Sequence, residues 1–295
     1  MVDTALCLEA LSALSGCSVQ QSGAGASDLG PQDFVNIVNL RQFYKQEGFE
    51  QLEYPSLGSM SLRDEPVNHR DEPVNHRDEP VNLDEENLYS APAALTAAPA
   101  SAPEPGPAVR VNPTDFFDRK FDYDFTNVKD GEKRFVRGGE PYNRPCGWRR
   151  VALSVWDKYE SDVWLGTGSE AWPVSYQGLH MDGSLILTRK QGIQEDDSFL
   201  DKAAQSVVYE TTKGRGIYST PDVQLAEKHC KTFKSKTNGK TYKVLLQNRI
   251  NLTHRKVCQR DRIWLVYVPE DHSQIQTRAL VQESVRPYGL LLKEA

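Results

Sequence analysis

From Arg63 to Asn82 the chain reads RDEPVNH twice and RDEPVN once more, at a period of seven, and no other feature limits its fold as much. Each copy offers one aliphatic residue, Val67, Val74 or Val81, and one proline, Pro66, Pro73 or Pro80, that removes a helical donor and clashes with the preceding turn. A coiled coil is excluded, and the run is expected to be an extended, solvated tether. The stretch APAALTAAPASAPEPGPA at 91–108 can neither bury a core nor hold a helix past each proline. The domain boundary is therefore placed near residue 111. Residues 1–110 are expected to be a mostly disordered acidic arm, and residues 111–295 the folded domain.

Charge divides the chain at the same place. Residues 1–110 hold 17 Asp and Glu against 6 Lys and Arg, a balance of −11, whereas residues 111–295 hold 24 against 29, a balance of +5. Within the second part, residues 213–262 carry 13 basic against 3 acidic residues, enough local potential to attract a phosphate-bearing ligand or simply to form a solvated basic face. Apolar runs are only a few residues long, so no transmembrane helix is expected. The first residues, MVDTALCLEA, lack the basic start and uninterrupted apolar stretch of a secretory signal. Five scattered cysteines without a CxxC pair fit reduced thiols, hence a cytoplasmic or nuclear setting.

Beyond residue 111 the texture is β-rich, with runs RRVALSVW, WPVSY, TYKVLLQNRI, IWLVYV and VRPYGLLL between turn signals. Two helices interrupt them. PDVQLAEKHCKTF carries Val223, Ala226, Cys230 and Phe233 at spacings of three, four and three, with Thr220 as N-cap and Pro221 at the first helical position. SQIQTRALVQES begins with capping-box spacing between Ser273 and Gln276. Strands and helices do not alternate strictly, which predicts an α+β domain with mostly antiparallel sheet. In the arm, Phe34, Ile37, Val38 and Leu40 stand near helical spacing within residues 34–48; this is either a helix that docks on a protein partner or a transient one with none.

The stretch GRGIYSTPDVQLAEKHC at 214–230 could carry chemistry. Gly214 and Gly216 permit close backbone approach, and Tyr218 offers a ring and a hydroxyl where strand becomes helix. It resembles the G-K-G-I-Y-F-x(9)-Y-C segment of poly(ADP-ribose) polymerase-type ADP-ribosyltransferases, matching at Gly214, Gly216, Ile217, Tyr218 and Cys230. VSYQGL lies about forty residues upstream, where that family ends a strand in His-Gly-Ser or His-Gly-Thr. The resemblance implies a pair of small, mostly antiparallel sheets with flanking helices, and NAD, or ADP-ribose, held between the sheets. It implies that Gly178 holds the nicotinamide amide through its backbone, that Tyr218 lies under the ring with Gly216 also at the cofactor, and that His229 stands where a second tyrosine packs.

Several positions depart from the pattern. Gln177 replaces the ribose-binding histidine, with a donor amide but no titration near neutral pH. Ala226 replaces a carboxamide-binding serine. Pro287 falls where the late glutamate aligns, leaving Glu283 as the nearby carboxylate. Breaking the bond from nicotinamide to ribose develops positive charge that such a carboxylate stabilises. The resemblance thus implies a degenerate domain that binds NAD or ADP-ribose with weak or no mono-ADP-ribosyl transfer, with Gln177, Tyr218 and Glu283 as its catalytic positions. The alternative is a protein-interaction or nucleic-acid-binding module that uses the basic 213–262 surface behind a closed cleft. The chain also resembles a group of animal proteins sharing RPCGWRRVALSV, WPVSY, GRGIYSTP, YKVLLQNRIN and RPYGLLLKE, whose members tend to carry His-Gly-Thr after the WPVSY tyrosine.

Other constellations are set aside. His229 and Cys230 are adjacent on a helix and point apart, so their grouping with His254 and Cys258 is not read as a zinc site. The five tryptophans, Trp148, Trp156, Trp164, Trp172 and Trp264, are expected in the core.

Overall fold

In the computed structural model of the chain, residues 2–22, 29–46, 108–181, 215–258 and 263–295 are described. They belong to one compact unit made from Met1–Glu53 and Pro105–Ala295. The RDEPVNH repeats and all but the last residue of the Ala/Pro-rich stretch lie outside the described residues, as does Gly214.

The domain is α+β and built on small antiparallel sheets. The strands are β1 (Ser18–Gln21), β2 (Ala108–Val111), β3 (Tyr123–Asp124), β4 (Val136–Arg137), β5 (Glu140–Pro141), β6 (Arg149–Ala152), β7 (Val174–Gln177), β8 (Gly216–Ser219), β9 (Lys231–Lys234), β10 (Thr241–Ile250), β11 (Arg255–Cys258), β12 (Ile263–Tyr267) and β13 (Val285–Glu294). One sheet runs β3-β6-β13-β10-β7, with β9 beside β7 on the same edge of β10; a second runs β11-β12-β8. β4 and β5 form a hairpin, and β1 and β2 a parallel ribbon. The five β-rich runs seen in the sequence thus correspond to β6, β7, β10, β12 and β13.

Between the sheets sits an apolar core that includes Trp148, Tyr176, Tyr218, Leu245, Leu265 and Leu291. Strand β10 is central, and its burial is continuous rather than alternating from Val244 to Ile250. It therefore buries three consecutive polar residues, Gln247, Asn248 and Arg249, which must find partners inside the fold.

The N-terminal residues are not an arm. Helix α1 (Thr4–Ser15) is capped by Asp3, whose side chain accepts from the Ala5 amide, and ends at Gly16 in the left-handed conformation. Cys7, Ala10, Leu11 and Leu14 of one face are buried. Glu9 accepts from the backbone amides of Lys236 and Thr237 and from the Thr237 hydroxyl, each at 3.0 Å, and ties α1 to the turn between β9 and β10. Helix α2 (Pro31–Gln46) is buried almost all round, at Phe34, Val35, Asn36, Ile37, Val38, Asn39, Gln42 and Phe43. A boundary at residue 111 is thus corrected: the two N-terminal helices bury apolar side chains that the segment's average acidity conceals, and β1 pairs with the first strand after the linker. The described part of the 34–48 segment, within α2, packs against this domain itself.

The other helices are α3 (Pro113–Phe116), α4 (Val223–Lys228) and α5 (Gln274–Ser284). The capping box of α5 forms as its spacing predicts, with the Ser273 and Gln276 side chains each bonded to the other's backbone amide. In α4 the N-cap is Asp222 rather than Thr220; its carboxylate accepts from Gln224 and Leu225. The helix stops at His229, so Phe233 belongs to β9, where its ring lies 6.0 Å from Tyr242. Of the tryptophans, Trp148, Trp164 and Trp264 are buried, but Trp156 is 62% exposed.

Candidate functional site

The ends of β7 and β8 lie side by side. Tyr176 and Thr220 exchange two backbone hydrogen bonds, at 2.7 and 3.0 Å, and so bring the Gln177-Gly178 pair next to the Gly-Ile-Tyr strand. Their side chains diverge. Tyr218 is 1% exposed and joins Tyr176 in the core between the sheets. Gln177, the next residue along β7, leaves by alternation on the other face.

There Gln177 meets α2. Its amide nitrogen donates to Asn39 Oδ1 at 2.5 Å and to Gln42 Oε1 at 3.0 Å, while its Oε1 accepts from Asn248 Nδ2 at 3.2 Å. The Gln42 amide in turn donates to the backbone carbonyls of Gly178, at 3.2 Å, and Leu179, at 2.7 Å. Carbonyl oxygens can only accept, so they orient Gln42 with its nitrogen toward them and its oxygen toward Gln177. That orientation passes on to Gln177 and then to Asn248. The result is a directed relay of side-chain amides that joins α2 to β7 and β10. Gln42 is 8% exposed and Gln177, Asn39 and Asn248 less still, so each bond forms away from water.

The two described glycines of the sequence motifs are also taken up internally. A Cβ at Gly178 would stand 2.3 Å from the His229 carbonyl oxygen and 3.0 Å from that of Ala226, because the C-terminal end of α4 presses against it. At Gly216, φ is +151° and a Cβ would stand 2.2 Å from the Val266 carbonyl oxygen across the β8–β12 ladder. Close approach is what both glycines permit, and the approaching group is the protein's own backbone. His229 caps α4, and its carbonyl accepts from the His180 amide at 3.0 Å.

Glu283 is not brought to this place. It is exposed in the last turn of α5, where its carbonyl accepts from Asn251 Nδ2 at 3.1 Å. Val285 pairs with Ile250 and Gln177 with Leu246, so four residues of β10, about 13 Å of strand, separate the two ends before the helix begins. Pro287 pairs with Asn248.

The residues that sequence reasoning misses are Asn39, Gln42 and Asn248. Only one signal pointed to any of them: QNR at 247–249 is an unbroken polar run inside an otherwise apolar strand. No family model, curated protein or solved structure matches the chain.

Proposed function

We propose that this chain is a degenerate ADP-ribosyltransferase-like domain whose cleft is closed by its own helix α2, and that it serves as a protein-interaction module without transferase chemistry. One observation carries the reading. The Gln42 carboxamide occupies the Gly178 carbonyl and pairs with Gln177, the positions that the family resemblance gives to the nicotinamide amide and the ribose, and it also holds the Leu179 carbonyl. Two further features support it: Tyr218 is sealed in the core, and Glu283, the carboxylate nearest in sequence to the aligned Pro287, is exposed and distant from Gln177 along the sheet. Support for the transferase-like ancestry comes from the apposition of β7 and β8 between two antiparallel sheets.

The basic stretch 213–262 favours nucleic acid less than its composition suggests. Arg249 is buried, Lys243 pairs with Glu227, Arg255 with Glu140 and Lys240 with Glu294. No helix among the described residues is long and apolar enough to cross a membrane.

The competing reading is a domain that still binds NAD or ADP-ribose with weak or no transfer. Thermal melting of the full chain in millimolar NAD or ADP-ribose separates the two. A ligand at a hundredfold its Kd stabilises by about 2.7 kcal/mol, a shift of several degrees for a domain of this size. The closed cleft is expected to give no shift with either compound, and a saturable rise in Tm with NAD would overturn it.

A further inference from the structure

On the opposite face of β10 from Asn248, three arginines gather around two tyrosine rings. Gln247 and Arg249 leave the strand on that side. Gln247 donates to the hydroxyls of Tyr142, at 3.3 Å, and Tyr176, at 3.4 Å. The Arg249 guanidinium lies 5.2 Å from the Tyr288 ring centre, Arg150 lies 5.8 Å from the same ring, and Arg137 lies 5.2 Å from that of Tyr142. Arg249 is 4% exposed, whereas Arg137, Arg150 and Tyr288 are half-buried and open the group to solvent.

The hydrogen bonds of these arginines all go to neutral carbonyls. Arg249 donates to Trp172, Leu165 and Gly166, Arg150 to Phe121, and Arg137 to Val136. Among the described residues none of the three has a carboxylate partner. Glu140 faces Arg137 across the β4–β5 hairpin but pairs instead with Arg255 at 2.7 Å. Several other arginines of the fold are neutralised: Arg119 by Asp122, Arg144 by Asp130, Arg278 by Asp33 and Arg286 by Glu160. The buried Nε–H donors of Arg150 and Arg249 also have no acceptor, a feature they share with the acid-paired Arg255 and Arg286. Burial lowers the Arg249 pKa, and the charges of Arg137 and Arg150 lower it further. Three like charges held together at the cost of mutual repulsion favour an anion between them.

The backbone has a matching irregularity. The β10–β13 register shifts after Gln247, which pairs with Gly289, to Asn248, which pairs with Pro287, and leaves Tyr288 on a bulge. Bulges turn side chains out of the regular pleat and recur beside binding sites. A side chain at position 289 would meet Arg150 Cδ at 2.9 Å and Gln247 Oε1 at 3.1 Å, so the glycine keeps those two groups close.

We propose that Arg137, Arg150 and Arg249, set around Tyr142 and the Tyr288 bulge, form a binding site for a small molecule that carries a phosphate monoester. Guanidinium forks match the paired oxygens and the charge of a phosphate group better than any other side chain. The phosphate could come free or on a nucleoside, and the site is independent of the amide relay, which lies on the other face of the sheet.

Calorimetric titration of the full chain with inorganic phosphate and with adenosine monophosphate, at constant ionic strength set with chloride, tests it. Saturable binding of at least one probe is expected. Tighter binding of the nucleotide assigns the source to a phosphorylated nucleoside, and equal binding assigns recognition to the phosphate alone. Arg137→Gln, a change on the half-exposed hairpin, and Arg150→Gln should each weaken binding about tenfold or more, as loss of a charge-assisted bond does. Arg137→Lys keeps the charge and should lose less. Absence of heat with both probes, or unchanged affinity in the Arg137→Gln variant, sinks the proposal.

Discussion

At the scale of single residues, Gln42 decides what the neighbourhood of Gly178 can do. Its nitrogen donates to two backbone carbonyls and its oxygen accepts from one buried side-chain amide, so truncation would remove three bonds; Gln177 would keep Asn39 and the Gly178 carbonyl the Met181 amide, while the Leu179 carbonyl would lose its donor. Gln42→Leu, similar in size, is expected to destabilise the fold by about 2–3 kcal/mol, since one orphaned carbonyl costs roughly 1–3 kcal/mol and each of the other two lost bonds about 0.5–1.5 kcal/mol, with partial relaxation nearby. Gln42→Glu should cost at least as much, because a carboxylate turns acceptors and a charge toward the same carbonyls. Urea denaturation gives both numbers, and a Gln42→Glu protein as stable as the wild type would contradict the relay. Gln177 stands out in the sequence as a departure from a known pattern. Gln42 does not, because its partners lie some 136 residues away and an isolated glutamine in a helix carries no local mark.

At the scale of elements, α4 shows how a helix of six residues is held. Lys243 and Lys293 sit directly opposite each other on β10 and β13, an unfavourable pairing on its own. Glu227 of α4 bridges them, at 2.8 Å to Lys243 and 2.9 Å to Lys293. Burial works against its charge, but the hydrogen bonds and charges of the two lysines outweigh it and hold its pKa below the ordinary 4.5. Glu227→Gln should therefore cost about 1 kcal/mol near neutral pH, the scale of a partly exposed pair. The sign follows from linkage: a depressed carboxylate pKa adds stability that is present above the ordinary value and lost as pH falls through the lower folded value. Melting curves between pH 6 and 3 should show wild type and variant converging below about pH 4.5; a constant gap would remove Glu227 from the account. The elements themselves were largely legible. β10 runs from Thr241 to Ile250 as its apolar pattern predicts, and the Ser273 capping box forms as written. The start of α4 was less so, because Thr220 and Asp222 are both good caps and only the fold committed Thr220 to its bridge with Tyr176.

At the scale of the whole molecule, the domain is assembled from two parts of the chain separated by the segment Tyr54–Glu104. Phe34 packs edge-on against Phe116 at 6.0 Å, Arg278 pairs with Asp33 at 2.9 Å, and Tyr159 donates to Gln32 at 2.7 Å, so α2 is bonded to elements on several sides. Full burial of one large apolar side chain contributes roughly 1.5–3 kcal/mol, and α1 and α2 bury many, against a total stability of about 5–15 kcal/mol for a typical domain. A fragment that begins at residue 111, the boundary that composition suggests, is therefore expected to lack a cooperative thermal transition. Calorimetric scanning of the fragment beside the full chain decides this, and equal Tm values would show that the N-terminal helices are ornaments.

What the sequence determined by itself is local: where strands start and stop, which residues cap α5, and which glycines allow close approach. These follow from side-chain period, backbone stereochemistry and donor count, all set within a few residues. Only the tertiary structure decided what approaches those glycines, which helix covers Gln177, and that Arg137, Arg150 and Arg249 gather with no carboxylate partner among the described residues. Those outcomes depend on pairings between residues a hundred or more positions apart, and the energy of a buried amide or guanidinium is set by its neighbours in space, which no short stretch of chain encodes.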